Sequence, residues 1–368
     1  MTTLRQNELL KGFLKERYFP ALDGIRAVSV LLVMSNHLHS NYAFLRRMPG
    51  WTGVDFFCVL SGFLITTLLL REEKDFGSVR LAPFYIRRFF RIVPIFLLVL
   101  LFYFPVAYFG EHGIRWAAFK SALPLYLTFM QDFVPHEAPF SFSWTLGIEE
   151  KFYFIWPILA FLLLKKLRGR ALVAGAFFLV SASLYLIFES VSDRAYFHAR
   201  SYAALALGAL LACLLASNLA QTYTRWISRI PSFLPPLAVI LALALVFYDR
   251  QFVMALDLSI ALLLSHLLLI PSSVRAWFAA PVLVWIGRRS YSMYLIHLLV
   301  LTPVRVALHP KSVFAELAVL VIAYFITAGL SHLIYLFVEE PMRLFGKRVI
   351  AKRLSNSRQP VAILDTPN

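Results

Sequence analysis

The stretch YIRRFFRIVPIFLLVLLFYFPVAYF, residues 85–109, decides the fold. Three arginines, Arg87, Arg88 and Arg91, open it, and the residues from Ile92 to Phe109 carry no formal charge. An α-helix rises 1.5 Å per residue, so the stretch reaches about 37 Å, enough to cross a hydrocarbon core of about 30 Å. Apolar runs of this kind recur along the chain. Hydrophobic residues make up 60% of the 368 positions and charged ones 15%, against about 45–50% and about 25% in soluble globular proteins. The excess apolar surface is accommodated in lipid rather than water.

The net charge of +16 raises nucleic acid as a partner, but the basic residues lie between apolar spans and form no long cationic face. No nucleic-acid partner is expected. Positive loops facing anionic membrane lipid account for the charge. Cys58 and Cys213 both fall inside apolar runs, so no disulfide framework, zinc pattern or haem motif arises, and no metal site or tightly bound cofactor is expected. Residues 1–20 are polar and basic, and the run Ala27–Met34 ends without a small-x-small cleavage signal. It reads as part of the first helix rather than as a cleaved signal peptide.

Apolar runs set against turn and charge punctuation give an all-α, polytopic membrane protein of about ten transmembrane helices. The expected spans are 22–40, 52–70, 85–109, 145–165, 171–188, 201–218, 234–249, 252–270, 283–302 and 314–338. The run 115–132, interrupted by Lys120, Pro124 and Asp132, is expected to lie at the outer interface or re-enter from it. With the N-terminus inside, cytoplasmic ends and loops hold 26 of the 36 Lys and Arg, as the positive-inside rule requires. Both termini are therefore expected in the cytoplasm. Residues 1–348 form one integral membrane domain, and residues 349–368 are expected to be a disordered cytoplasmic tail.

Ionisable side chains inside spans are expensive and mark pathways or sites. Counted by helical rise, His37 falls in the outer half of the first span, Asp55 near the outer end of the second, and Glu149 and Glu150 one turn into the fourth. His297 lies well inside the ninth. A histidine beside a carboxylate can serve as a general base near neutral pH, so His37 oriented by Asp55 is the candidate base. Interhelical hydrogen bonding by His37 is the plainer alternative. His39, His266, His309 and His332 are read as structural or surface residues. On the opposite face, Arg88 and Arg91 share one side of a helix. Guanidinium groups bind phosphates by paired hydrogen bonds, although arginines at a helix start also serve simply to set topology.

Taken in order, these residues resemble the membrane-bound acyltransferase-3 family. Leu22-Asp23-Gly24-Ile25-Arg26-Ala27 with His37 resembles its first-helix signature. Gly53-Val54-Asp55-Phe56-Phe57 and Ser61-Gly62-Phe63-Leu64-Ile65 resemble its second. Tyr85 to Pro94 is similar to its Arg-x-x-Arg helix, and Trp144-Thr145-Leu146-Gly147-Ile148-Glu149 to its Trp-Ser-Leu-x-x-Glu segment, with Thr145 in place of serine. Ser290 to His297 and Glu339-Glu340-Pro341 resemble the closing pair. The stretch 165–280 matches no motif of the series and is a candidate seat of substrate choice. The chain ends soon after the last signature, so no fused extracytoplasmic hydrolase-like domain is expected.

The resemblance implies an O-acyltransferase of a bacterial plasma (inner) membrane. It implies transfer of an acetyl or other short acyl group from cytoplasmic acyl-CoA to a hydroxyl of a saccharide or lipid-linked glycan. Acetyl-CoA is then a donor substrate. Arg26, Arg88 and Arg91 become donor-binding candidates, and His37, Asp55 and Glu149 catalytic ones. His297 and Glu150 are expected to support the acceptor, and Glu339 to steady the arginine cluster. Direct attack and an acyl-histidine relay both remain open. The rival reading is a saccharide exporter or flippase that uses the buried charges as a proton relay.

Overall fold

The computed structural model describes residues 15–38, 40–110, 114–188 and 193–356, and the regular elements among them are all helical. The principal helices are α1 (Pro20–Asn36), α2 (Gly53–Phe76), α3 (Leu81–Phe109), α4 (Ile114–Leu127), α5 (Trp144–Pro157), α6 (Leu167–Phe188) and α7 (Asp193–Ala216). They continue as α8 (Leu234–Tyr248), α9 (Val253–Leu269), α10 (Pro281–Arg288), α11 (Ser290–Leu308), α12 (Val313–Ile334) and α13 (Glu340–Asn356). Among the described residues, seven helical segments are long and apolar enough to cross a bilayer: Ala43–Phe76, Leu81–Phe109, Leu167–Ile187, Phe197–Ala216, Arg250–Leu269, Ser290–Leu308 and Val313–Arg353. The protein is a multi-pass helical membrane protein.

Three of the ten expected spans are not among these: α1 with 17 residues and α8 with 15 are shorter, and α5 carries Glu149, Glu150 and Lys151. Other boundaries also differ from expectation. The expected span 283–302 is broken at Arg289, which caps α11 with non-helical backbone, so the apolar helix begins at Ser290. The expected span 201–218 starts earlier, at Asp193, and this draws Arg200 into the helix. Helix α13 runs to Asn356, through the first part of the expected disordered tail. Its straight-chain lysines and arginines are good helix formers and suit a helix C-terminus. Residues 357–368 and His39 lie outside the described residues.

The chain divides into two compact units. One comprises Met1–Val79 and Ile148–Arg288, the other Arg80–Gly147 and Arg289–Asn368. In the first, α2 crosses α7 at very short range. A Cβ on Gly62 would stand 1.9 Å from Leu205 O, and one on Gly208 2.0 Å from Val59 O. Only glycine admits the opposing backbone, which is how membrane helices without a hydrophobic drive between them gain contact. After Pro157, which lacks an N–H, α5 widens into a π-helical turn, Ile158–Leu163. Arg170, 2% exposed, closes that turn. Its Nε donates to Ala160 O at 2.6 Å and Leu164 O at 2.9 Å, and its two terminal nitrogens fork onto Glu73 at 2.5 and 2.7 Å.

In the second unit, α3 carries an aromatic seam: Tyr103 stacks on Phe140 at 4.6 Å, and Phe90 meets Phe345 of α13 edge-on at 5.2 Å. The Tyr291 hydroxyl ties α11 to α3 by donating to Ile92 O at 3.0 Å. The run expected to lie at an interface is the helix α4 followed by a short turn, Gln131–Phe133.

Candidate active site

Asp55, Cys58 and Ser61 follow at intervals of three along α2 and so share one helical face. Three acids and one base gather around it: Asp55, Glu149, Asp257 and Arg200 all act electrostatically on the Cys58 thiol. Arg200 of α7 places Nε 3.0 Å from Asp55 Oδ1, and both side chains are fully buried. Asp257 of α9 is equally buried, and the charges of Asp55 and Arg200 both act on it. Neither oxygen of Asp55 accepts a hydrogen bond. Asp55 therefore does not orient His37 by the expected hydrogen bond; a buried carboxylate instead takes the nearest full positive charge, which is Arg200.

His37 forms the C-cap of α1, with its backbone N–H reaching Met34 O and Ser35 O. Its Nδ1 lies 2.9 Å from Val33 O. A carbonyl only accepts, so Nδ1 carries the hydrogen and the lone pair of the neutral ring is on Nε2. The tautomer expected from a carboxylate is thus supplied by backbone.

Glu149 is the acid that the structure ties to α2. Its Oε2 accepts from Ser61 Oγ at 3.1 Å and from Tyr153 OH at very short range, while Tyr153 also lies 2.8 Å from Ser61 Oγ. Tyr153 stands one turn below Glu149, the spacing that brings i and i+4 together. One turn further on, Trp156 Nε1 donates to Thr66 Oγ1 at 2.9 Å, continuing the polar ladder between α2 and α5. Glu150 is half-buried on a neighbouring side of the same helix.

Arg26 is engaged with a residue the sequence reading left unassigned. Asp23, 1% exposed, accepts from Arg26 at 2.8 Å and from Tyr18 OH at 2.8 Å, and Arg288 Nε stands 3.8 Å from it. Arg288 also donates to Tyr18 OH at 2.8 Å. Burial pushes the Tyr18 phenol above its ordinary value, against the pull of Arg288, so it remains a donor. Arg200 and Asp257 were likewise missed. Asp257 carried a legible signal, a carboxylate inside an apolar run. Arg200 sat at the edge of its expected span and gave none.

The second unit holds the remaining candidates. Arg88 and Arg91 are half-buried on α3. The charges of Arg91 and Arg289 act on the buried Glu339, which accepts from Ser292 Oγ at 3.1 Å. Arg289 in turn donates to His332 Nδ1 at 3.1 Å and lies over the Tyr335 ring at 4.7 Å. His297 is fully buried, with Nδ1 2.5 Å from Tyr294 O and its ring against Phe142 at 4.9 Å. The Tyr294 hydroxyl donates to Phe142 O at 2.6 Å, so Thr145, 2.7 Å away, donates to it. The threonine that replaces the commoner serine keeps that hydroxyl.

Comparison with known proteins bears on this arrangement directly. A family profile described as an acyltransferase domain matches residues 19–336. The Staphylococcus aureus (strain MRSA252) protein named "Putative O-acetyltransferase SAR0937" is 31% identical over 94% of this chain and 61% of its own length. "Peptidoglycan O-acetyltransferase OatA" of Listeria monocytogenes is 29% identical over 90% of this chain and 56% of its own. The chain spans about three fifths of the length of these curated relatives. No solved structure matches. Membership of a transferase family does not favour the exporter reading. The signature residues, their helical settings and the match over 19–336 agree, and the chain belongs to the acyltransferase-3 family.

Proposed function

We propose that this protein is a membrane-bound O-acetyltransferase of a bacterial inner membrane, using cytoplasmic acetyl-CoA or another short acyl-CoA and acylating a hydroxyl of a saccharide or lipid-linked glycan. The observation that carries the reading is the setting of His37, whose Nδ1–H is committed to Val33 O at the negative end of α1. That leaves the lone pair of the neutral ring on Nε2, the nitrogen that can accept a proton. Peptidoglycan is named for two relatives of similar identity, and this supports a glycan acceptor here.

In the reaction, Nε2 of His37 takes the acceptor hydroxyl proton as the oxygen attacks the thioester carbonyl. The new C–O bond forms, the C–S bond breaks, and the proton passes to the coenzyme A thiolate. That is direct attack; in an acyl-histidine relay Nε2 instead attacks the thioester itself and expels the thiolate, and the acceptor hydroxyl then displaces the imidazole with its proton taken by a neighbouring carboxylate such as Glu149. Arg88 and Arg91 bind donor phosphates from the cytoplasmic side, and Arg26 is a further donor-binding candidate. Glu149, with one oxygen fixed by Ser61 and Tyr153, holds the acceptor hydroxyl, assisted by Glu150; His297 is a separate candidate for acceptor support. Glu339 steadies Arg91 and Arg289.

The test is to feed acetyl-labelled acetyl-CoA to membranes containing the protein. Label should enter saccharide with the wild type and fail to do so with His37→Ala at equal protein level. Unconsumed donor with the wild-type protein and a range of glycan acceptors would remove the reading.

A further inference from the structure

Three charged side chains from three helices meet in the interior of the first unit. Asp55 of α2, Arg200 of α7 and Asp257 of α9 are each fully buried. None of their terminal nitrogens or oxygens makes a hydrogen bond, although Arg200 Nε and Asp55 Oδ1 are 3.0 Å apart. Buried charges without well-aligned partners are a poor source of stability, since their desolvation exceeds what a loose pair returns. Such a group is retained for what it holds in place.

What Arg200 holds is visible on its open face. Its guanidinium lies over the Trp51 ring at 4.3 Å, and Phe197 flanks it at 5.2 Å. Trp51 belongs to the turn Gly50–Thr52, which leads into α2. That turn is pressed against the last turns of α1. A Cβ on Gly50 would stand 2.5 Å from Leu32 O, and one on Gly53 2.3 Å from Ser29 O and 2.9 Å from a methyl of Val33. Val33 is the residue whose carbonyl receives His37 Nδ1. A continuous run of packed groups therefore leads from the buried charges to the candidate base.

We infer that Arg200, anchored by Asp55 and Asp257, is a positioning residue for His37: it clamps Trp51, and the Gly50–Gly53 turn transmits that clamp to the end of α1. The inference rests on the acyltransferase reading for its consequence in catalysis, but not for its structural content. It assigns Asp55 a part in the site by way of Arg200, where contact with the imidazole is missing.

The experiment reads the imidazole itself. Full-length protein with ¹⁵N-labelled histidine is studied in lipid nanodiscs, and the His37 signal is identified by its loss in His37→Gln. The wild type should show the Nδ1–H tautomer. Arg200→Gln should give a mixture of both tautomers and a kcat lower by about 10- to 100-fold, the scale of an ångström-level misplacement, with the donor KM little changed. Trp51→Leu removes the clamped ring without stranding a charge, so it decides the matter if Arg200→Gln fails to fold. A His37 signal unchanged in either folded variant would overturn the inference. If the tautomer is lost in the variants while His37→Ala transfers acetyl at the wild-type rate, the general-base reading fails and the positioning stands.

Discussion

The Ser61 hydroxyl donates to Oε2 of Glu149 across 88 positions of sequence, at 3.1 Å. Tyr153 donates to the same oxygen, so that oxygen is held from α2 and from its own helix at once. Tyr153→Phe removes a hydrogen bond to a charged group, an interaction of about 1.5–3 kcal/mol. We expect kcat/KM for the acceptor to fall about tenfold or more, since about 1.4 kcal/mol is a factor of ten. Ser61→Ala should act in the same direction and Glu149→Gln more severely. Steady-state kinetics with acceptor varied at saturating donor is the measurement; an unchanged value for Tyr153→Phe would detach Glu149 from the site.

His37→Ala should reduce transfer by about 10²–10⁴-fold, the usual range for loss of a general base, while the protein remains inserted and abundant. His309 caps the C-terminal end of α11 and is exposed; His309→Ala should leave transfer within twofold. The two rates at matched protein level decide the point.

Asp55→Asn should act first on stability. It leaves Arg200 buried without its nearest counter-charge, a loss of about 3–5 kcal/mol when one partner of a buried pair is removed. The expected result is reduced folded yield and a lower thermal midpoint in detergent. Full folded yield with selective loss of transfer would leave Asp55 only its positioning part by way of Arg200, and full yield with unaltered transfer would discount the buried pair.

Arg88→Ala or Arg91→Ala should raise the apparent KM for acyl-CoA about tenfold or more, on the scale of one charge-assisted hydrogen bond to phosphate. Arg343 is occupied by Glu340, its two nitrogens donating at 2.5 and 2.8 Å, and Arg343→Ala should matter little to donor use. Donor titration at fixed acceptor separates the cases, and unaltered donor KM in both α3 variants would leave those arginines a topological role alone.

Gly62→Ala should destabilise the first unit by about 1–3 kcal/mol or more, since the added Cβ meets backbone that no rotamer can move. Gly175 on α6 has nothing within 4 Å of its added Cβ, so Gly175→Ala should be neutral or gain up to about 1 kcal/mol of helix preference. Thermal unfolding monitored by resistance to proteolysis compares the two, and equal behaviour would discount the close crossing of α2 and α7.

The sequence by itself determined the solvent and the element type. Long uncharged runs such as Ile92–Phe109 have one low-energy environment and, in it, a helical backbone. The ordered signatures from Leu22 to Pro341 further identified the family, because the chemistry of each residue type at its spacing is local information. Position along a helix was legible for the same reason: it is a count of residues times a fixed rise. Partners were not. Depth alone placed Asp55 beside His37, but azimuth and helix order are set by which faces can approach, and Gly62 and Gly208 admit α7 against α2. That contact carries Arg200 to Asp55, and Asp257 joins from α9. The His37 ring takes its orientation from Val33 O, within its own helix. Pairing between segments far apart in sequence is a property of the packed bundle, and only the tertiary structure decided it.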